Sequence, residues 1–199
     1  MRKLFLILAV LFAFAAHASA QAPTPFSVYA GGAFSLPQSD AFKSAFKNGY
    51  HGFAGVGFKM SPMMQLIGKL EYHVFKFDFE NNQSMDGYSG GTNKMLMFGA
   101  DVKFSPKLPA APVKPYLLGG LGVAHIKQSE FDGPQSLSLS VFNSYVSQAQ
   151  TKLYYNLGAG IDLASSPTFG LFAQARYVAI TTDGETSAFI PISLGLRFF

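Results

Sequence analysis

The feature that most constrains this chain is an alternation of apolar and polar side chains with a period of two, which recurs in eight stretches. In the stretch 152–163 the odd positions are apolar from Leu153 onwards, whereas the even positions include Lys152, Asn156 and Asp162. Such a pattern is typical of a β-strand with one face against an apolar phase. The chain is therefore predicted to be all-β, with strands at 26–36, 50–60, 64–79, 94–104, 116–127, 152–163, 169–181 and 190–199.

The connections between these stretches also alternate in character. Those after the second, fourth and sixth stretches are compact and contain proline, whereas those after the first, third and seventh are looser and polar, and the one after the fifth is the longest. Strands joined in this way run up and down, with turns at one end and loops at the other. The compact connections are 61–63, 105–112 and 165–167, the looser ones are 37–49, 80–93 and 182–187, and the longest is 128–151.

Composition indicates where the apolar faces lie. Apolar residues make up 49% of the chain and aromatic residues 15%. Beyond the first 20 residues, however, no apolar run approaches the length of about 20 residues that a membrane helix needs. A soluble sandwich or a lipocalin-like barrel also alternates, but it turns its apolar face into a core of limited volume. Here the apolar face carries bulky side chains and the other carries Gly, Ser, Tyr and charge. We therefore predict an eight-stranded antiparallel up-and-down transmembrane β-barrel.

Two stretches depart from the simple pattern. In 64–79 the apolar parity slips, because Phe75, Phe77 and Phe79 fall on the otherwise polar face. This slip predicts either a bulge or a strand end lifted above the membrane. In 116–127 several glycines dilute both faces, so the pattern does not distinguish the lipid face from the inward face.

The first 20 residues have the form of a secretory signal peptide. A basic start and an apolar run over 4–16 precede a small-x-small cleavage signal that ends at Ala20. The predicted organisation is a signal peptide at 1–20 and an exported barrel domain at 21–199. Without the two basic residues of that leader, the excess of 15 Lys and Arg over 11 Asp and Glu shrinks to two, which predicts no nucleic-acid partner. The chain has no Cys, which excludes disulfides and thiolate chemistry.

The segment 115–122 reads PYLLGGLG, and the chain ends in an aromatic strand. With the leader and the eight amphipathic stretches, these features resemble the small outer-membrane β-barrel domain family of the OmpA and OmpX type, a porin-family protein. The resemblance implies a bacterial outer-membrane location, contact with outer-membrane lipid and lipopolysaccharide, and a monomer. It also implies that the barrel-assembly machinery reads the last strand, whose apolar set is offset by one residue from the usual signal. The residues of this implied signal are Leu194, Leu196, Phe198 and Phe199.

Inward parity places several charged side chains in the barrel interior. Charges removed from bulk water must pair or stay hydrated, and strand direction sorts these residues by height. The resulting prediction is a charge network that plugs the lumen. Its upper contact joins Glu71 with Arg176 and Lys69, and its lower cluster joins Asp101 and Asp162 with Arg197 and Lys103.

The sequence carries little sign of catalysis. A resemblance to the barrels that deacylate lipid A would require a His-x-Ser and Glu arrangement on the outer wall. None of His51, His73 and His125 is followed by a serine two residues later. Glu71 and His73 share a strand face, either as an acid and base pair or as a polar lumen pair. Scattered histidines and the absence of Cys predict no metal site, and no motif predicts a cofactor.

Eight strands enclose an interior that side chains just fill. The predicted function is therefore a non-enzymatic outer-membrane protein with a structural or surface-binding role, a polar plugged lumen, and extracellular loops as its interaction surface. A small-solute channel or a lipid-A-modifying barrel enzyme is the alternative.

Overall fold

The computed structural model describes residues 25–82, 87–107, 113–133, 149–166, 168–181 and 186–199. The predicted signal peptide lies outside these residues and stays a prediction. Within these ranges, no helix has both the length and the apolar character that a membrane crossing requires. Eight long strands, named β1 to β8, and one short helix, α1, make up most of the described chain. They are β1 (Phe26–Pro37), α1 (Asp40–Ala45), β2 (Gly49–Lys59), β3 (Met64–Phe75), β4 (Asn93–Phe104), β5 (Lys114–Gln128), β6 (Gln150–Ser165), β7 (Phe169–Thr181) and β8 (Thr186–Phe198).

The eight strands form one closed antiparallel barrel, in which chain neighbours pair and β1 pairs with β8. The closing pair runs from Val28 opposite Phe198 to Pro37 opposite Phe189. The predicted eight-stranded up-and-down barrel is thus confirmed. Closure leaves no unpaired strand edge, which a bilayer would penalise. The connections after β2, β4 and β6 lie at one end, here called the turn end, and the other four connections lie at the loop end.

The outward face of the barrel is apolar. Leu157 is 70% exposed and Phe98 is 63% exposed, as expected for side chains that meet lipid. The structure also assigns the faces of β5, which the sequence pattern left open. Tyr116 points inward and is buried, whereas Leu117 and Leu121 point outward and are exposed.

Of the two alternatives predicted near Phe75, a bulge or a strand end, the structure shows the strand end. The pairing of β3 with β4 continues without a bulge as far as Phe75 opposite Asn93, so the prediction of a bulge there is wrong. β3 ends at this residue, and Phe77 beyond it forms an isolated bridge with Phe46. Phe75 keeps the inward parity of its strand because the interior at this height is apolar.

Apolar side chains, half of them aromatic, fill the interior at the loop end. α1 folds over the opening and buries Phe42, whose ring centroid lies 4.9 Å from that of Phe75 and 6.3 Å from that of Phe189. Burying a phenylalanine stabilises a fold by about 1.5–3 kcal/mol. The expectation of a polar lumen is therefore wrong for this end. We call this group the aromatic plug, and its members are Phe42, Phe46, Phe75, Met95, Met97, Ala124, Tyr154, Val178, Ile180 and Phe189.

Candidate functional site in the barrel lumen

Four charged side chains meet in the middle of the lumen. Arg176 on β7 donates two hydrogen bonds to the Glu71 carboxylate on β3, and its Nη1 lies 2.9 Å from Glu71 Oε1. Lys69 Nζ lies 2.8 Å from Glu71 Oε1 and 2.6 Å from Asp101 Oδ2. All four side chains are buried. Because two cations face two carboxylates, this central cluster of Lys69, Glu71, Asp101 and Arg176 is neutral as a whole.

Asp101 does not lie in the group to which the sequence assigns it. The prediction places it near the turn end with Asp162. In the β3–β4 register Asp101 lies opposite Ile67, which makes Lys69 its diagonal neighbour on the inward face. Asn156 on β6 also donates a hydrogen bond of 2.9 Å from Nδ2 to Asp101 Oδ1. The register therefore moves this carboxylate one step up the barrel, into the central cluster.

Gly158 provides space for the longest side chain of the central cluster. It lies directly opposite Arg176 in the β6–β7 pairing. A Cβ atom at this position would approach within 2.6 Å of Arg176 Cγ. Any larger residue would therefore displace the guanidinium from Glu71. This inward glycine thus leaves room for a long charged side chain from the neighbouring strand.

A second ionic group lies nearer the turn end. Lys103 Nζ is 3.0 Å from Asp162 Oδ1, and Arg197 Nη1 is 3.4 Å from Asp162 Oδ2. Both cations also lie over aromatic rings, Lys103 at 3.6 Å from the Tyr116 centroid and Arg197 at 4.5 Å from the Phe199 centroid. This turn-end cluster of Lys103, Asp162 and Arg197 has one more cation than carboxylates, and the ring faces partly offset the excess charge.

A chain of hydrogen bonds, of which the sequence predicts only the Glu71–His73 lumen pair as one of two alternatives, connects four strands to the central cluster. Ser193 Oγ on β8 lies 2.9 Å from His51 Nε2 on β2. The Ser35 hydroxyl on β1 then lies 3.1 Å from His51 Nδ1 and 2.9 Å from His73 Nδ1. His73 Nε2 lies 3.3 Å from Glu71 Oε2. We call these five residues the histidine chain.

The ionised carboxylate of Glu71, at the end of the histidine chain, determines which groups of the chain donate hydrogen bonds and which accept them. A carboxylate that pairs with Arg176 only accepts hydrogen bonds, so His73 donates to Glu71 from Nε2 and accepts at Nδ1. The Ser35 hydroxyl therefore donates to His73 and accepts from His51 Nδ1. His51 Nε2 in turn accepts from a serine hydroxyl on β8. Each histidine thus has one assigned tautomer, and the chain ties both sides of the β1–β8 closure together.

Ser35, His73 and Glu71 also have the order hydroxyl, imidazole, carboxylate that activates nucleophiles in hydrolases. Ser35 and His73 are 0% exposed and Glu71 is 1% exposed. The Phe189 ring lies 5.0 Å from the His73 ring by centroid, on the loop-end side. The Ser35 hydroxyl and both of its partners are thus buried among the described side chains, away from solvent. The arrangement therefore acts as a buried polar brace between strands.

No local sequence motif predicts the histidine chain, because its two serines lie on the first and last strands. Inward parity at Ser35 and Ser193 is the one available signal. In the described ranges, no group of three or more His, Cys, Asp or Glu side chains is placed to hold a metal ion.

A polar cleft of about 550 Å³ opens at the loop end beside α1. Inside it, Lys47 Nζ lies 2.7 Å from Glu80 Oε1 and 3.8 Å from Asp78 Oδ1. The hydrogen bond to Glu80 raises the pKa of Lys47. The cleft thus presents both signs of charge to solvent. Its lining residues are Pro37, Lys43, Phe46, Lys47, Asn48, Asp78 and Glu80.

The last strand places the residues of the implied assembly signal on two faces. Leu194 and Leu196 point outward and are 57% and 41% exposed. Phe198 pairs with Val28 and continues the same face. Phe199 lies beyond the strand, where its backbone N–H donates to the Thr168 carbonyl at 3.1 Å. The apolar lipid-facing set therefore ends at Phe198, and Phe199 belongs to the turn end.

Comparisons with known proteins agree with this architecture. A family model described as the outer membrane protein beta-barrel domain matches residues 6–198. No curated protein sequence matches the chain significantly. Among solved structures the chain is similar to Neisserial surface protein A, at 19% identity and a TM-score of 0.62, over 89% of this chain and 99% of that one. It is also similar to Ail, the attachment invasion locus protein of Yersinia pestis, at 18% identity and a TM-score of 0.51, over 88% of this chain and 100% of that one.

At these identities the structural likenesses show the fold, whereas the family match extends over nearly the whole chain. Short turns of such barrels face the periplasm and the longer loops face outside. The chain therefore belongs to the outer membrane protein β-barrel domain family, whose members lie in the bacterial outer membrane.

Proposed function

We propose that this protein is a non-enzymatic outer-membrane barrel with a closed lumen, whose extracellular loops form a binding surface. The observation that carries the proposal is that three loops are joined to one another by backbone hydrogen bonds. A surface that is already ordered binds a partner without a large cost in conformational entropy. We call the described parts of these loops, residues 38–48, 76–82, 87–92 and 129–133, the loop platform.

Backbone contacts connect the first and second loops of the loop platform. The Asp78 N–H donates to the carbonyl of Ala45, the last residue of α1, at 2.9 Å. The Lys47 N–H donates to the Lys76 carbonyl at 2.9 Å. The Asn82 side chain adds a third link, from Nδ2 to the Ser44 carbonyl at 2.9 Å. These bonds hold α1 and the start of the second loop as one unit.

The second and third loops are connected by a two-stranded ribbon, Ser89–Gly90 with Phe131–Asp132. A small aromatic core supports it, because the Phe131 ring lies 4.9 Å from the Phe77 ring and 6.1 Å from the Phe79 ring by centroid. Phe131 is only 2% exposed. The loop platform therefore has a core of its own above the aromatic plug, as a preformed binding surface requires.

Attachment assays test the proposal. Outer-membrane vesicles with and without the protein are applied to arrays of matrix proteins and acidic glycans. We expect wild-type vesicles to bind at least one probe class, and the variant Phe131→Ala to lose that binding because the ribbon loses its core. Leu157→Ala, on the lipid face, is the matched control and should bind like wild type. Binding to no probe, or equal binding by both variants, contradicts a role for the loop platform.

The alternative of a small-solute channel finds little support in the lumen. The aromatic plug fills the loop end and the central cluster fills the middle. Between the central and turn-end clusters lies a cavity of about 20 Å³. That volume accommodates about one water molecule. A continuous path for solutes would need both groups of side chains to move.

The alternative of a lipid-A-modifying enzyme rests on the order of Ser35, His73 and Glu71. The burial of these three side chains argues against an enzyme, and the mass of lipid A from cells that express the protein tests this alternative. We expect cells that express the wild-type protein and cells that express Ser35→Ala to have the same lipid A mass spectrum. A mass change that depends on Ser35 would favour the enzyme.

Export and assembly belong to the same proposal. We infer that residues 1–20 direct export and that the β8 set ending at Phe198 is the segment recognised by the barrel-assembly machinery. The apolar outward row on β8 supports this, because it presents a continuous lipid-facing edge at the strand that closes the barrel. Shifting the apolar outward row of β8 by one residue along the strand should slow assembly of the barrel in cells without changing its refolding in detergent.

A further inference from the structure

The imidazole rings of His51 on β2 and His73 on β3 lie face to face in the lumen. The two residues are opposite each other in the strand pairing, their ring centroids are 4.9 Å apart, and the angle between their planes is 16°. We call them the histidine pair. In the hydrogen-bond directions assigned above, each ring has one donor and one acceptor nitrogen, so both rings are neutral. The Ser35 hydroxyl between them donates to one ring and accepts from the other.

The carboxylates near the histidine pair are already paired with other cations. His73 Nε2 lies 3.3 Å from Glu71 Oε2, but Arg176 and Lys69 bond to the same carboxylate. Asp101, the other carboxylate of the central cluster, is bonded to the same lysine. A proton added to the histidine pair would therefore give this level of the lumen a net positive charge.

The other described groups that face the histidine pair carry no charge. β1 and β8 contribute the two serines of the histidine chain. Three aromatic rings also lie against the pair, those of Phe53, Phe75 and Phe189. The phenol of Tyr154, from β6, lies in the adjoining aromatic plug and is neutral in this range, since the ordinary pKa of tyrosine is about 10. These contacts therefore supply no further counter-charge for a protonated histidine.

The histidine pair also supports the aromatic plug. The His73 ring lies 5.0 Å from the Phe189 ring and 6.4 Å from the Phe75 ring by centroid. Both phenylalanine rings contact Phe42, the buried residue of α1. α1 is therefore held over the lumen through aromatic rings that contact His73. A change of charge at His73 acts on α1 through these contacts.

Protonation would break the hydrogen-bond order of the histidine chain. A protonated His73 donates from both nitrogens, so its Nδ1 no longer accepts from the Ser35 hydroxyl. If His51 is protonated as well, two nearly parallel imidazolium rings face each other at 4.9 Å and repel. Because a buried charge without a partner strongly destabilises a folded structure, the packed lumen favours neutral histidines.

Acidification therefore favours a state in which the histidine pair reaches water. Histidines in contact with water take up protons near their ordinary pKa of about 6.5. Because the packed state keeps both rings neutral, its stability is fully present above this pH. That stability is lost as the pH falls below about 6.5, since only the opened state binds the additional protons.

We propose that the histidine pair is an acid-sensitive latch, which holds α1 and the aromatic plug over the lumen at neutral pH and releases them in acid. The strands are bonded to their neighbours around the whole closed barrel, whereas α1 lies outside these ladders and is the element that is released. The ion pairs of the central cluster remain, so the release opens the loop end without unfolding the barrel. This inference concerns the barrel interior and does not depend on what the loop platform binds.

A spin label on α1 tests the latch. The chain has no Cys, so Ala41→Cys gives a single labelling site on an exposed residue of α1. Electron paramagnetic resonance in vesicles of zwitterionic lipid then measures the mobile and immobile fractions of the label from about pH 7.5 to about pH 4.5. We expect an immobile label at neutral pH and a mobile label in acid, with a midpoint below about pH 6.5. The same label at Met63→Cys, at the turn end, should not respond to pH.

The slope of the response reports the number of protons taken up. Each histidine that gains a proton on release changes the ratio of mobile to immobile label about tenfold per pH unit. The wild-type chain should therefore approach about 100-fold per pH unit, and His51→Gln or His73→Gln about tenfold. The double variant should show no response, since glutamine is polar but does not titrate. His125→Gln, on the exposed outer side of β5, is the matched control and should respond like wild type.

Four results would overturn the latch. They are a label on α1 that stays immobile in acid, an equal response at Met63→Cys, a response that persists in the double variant, and a loss of the response in His125→Gln. If the double variant does not refold, the single variants His51→Gln and His73→Gln take its place. An unchanged slope in either of them would then overturn the proposal.

Discussion

The loop end and the middle of the lumen close the same barrel by different physical means. The aromatic plug depends on the burial of apolar area, which has no preferred direction and tolerates small rearrangements. The central cluster depends on charges that have lost their water and must be fully paired. Replacing a whole buried ion pair by apolar residues is often neutral, whereas removing one partner is strongly destabilising.

The difference teaches which changes each region tolerates. In the aromatic plug, substitutions that keep volume should be mild and those that leave a cavity should be costly. In the central cluster, charge balance matters more than volume, since Lys69, Glu71, Asp101 and Arg176 are all buried. Four experiments, from the largest expected effect to the smallest, test this contrast.

The largest effect is expected for Arg176→Met. This substitution keeps much of the side-chain volume but leaves Glu71 and Asp101 with Lys69 as their only cation in the central cluster. We expect a loss of about 3–5 kcal/mol in the free energy of unfolding, as for other buried ion pairs that lose one partner. Reversible urea unfolding in lipid vesicles measures it.

The paired variant Glu71→Gln with Arg176→Met restores neutrality and serves as the control. It should lose less than half of what the single variant loses. If the paired variant is as unstable as the sum of its single substitutions, charge balance does not govern this region and the contrast fails.

Phe42→Ala tests the aromatic plug. The substitution leaves a cavity beside Phe75 and Phe189, and we expect a loss of about 3 kcal/mol, the lower end of the range for Phe to Ala in cores. Phe42→Leu, which keeps most of the volume, should lose less than about 1.5 kcal/mol. Equal losses in the same unfolding assay would show that α1 does not pack as described.

Planar-bilayer recordings add a functional readout to the same variant. Neither wild type nor Phe42→Ala should show a steady conductance, because the central cluster still closes the lumen below α1. A steady open pore in the wild-type protein would contradict the closed lumen.

A smaller effect is expected in the histidine chain. Ser35→Ala removes the hydroxyl between two histidines and leaves two buried groups unpaired, which should cost about 2 kcal/mol. Ser193→Ala removes one partner, from His51 alone, and should cost about 1 kcal/mol. Urea unfolding of both variants checks the ratio. A larger cost for Ser193→Ala would mean that Ser35 does not bridge the two rings.

The smallest effect is expected for Lys47→Gln on the loop platform. Its ion pairs with Glu80 and Asp78 are open to solvent, where such pairs contribute little. We expect no measurable change in unfolding, at low or high salt. A clear loss that salt abolishes would show that the loop platform depends on this charge.

The local sequence pattern is sufficient to predict the eight strands and the outward faces of all of them except β5, where glycines dilute the alternation. Alternation such as that of β6, from Leu153 to Leu163, depends only on the two-residue repeat of a strand and on a lipid phase outside. Strand direction likewise predicted that Glu71 and Arg176 share one height in the lumen. The slip at Phe75 was visible as well, but the pattern alone did not show that the interior there is apolar.

Only the tertiary structure decided which inward side chains meet. Asp101 pairs with Lys69 because the β3–β4 register sets it diagonally below, and the histidine chain forms because closure brings Ser193 on β8 beside His51 on β2. Alternation specifies the face of a residue but not its neighbours across the lumen. Those neighbours depend on the stagger between strands, which closing eight tilted strands into a ring sets for the whole barrel at once.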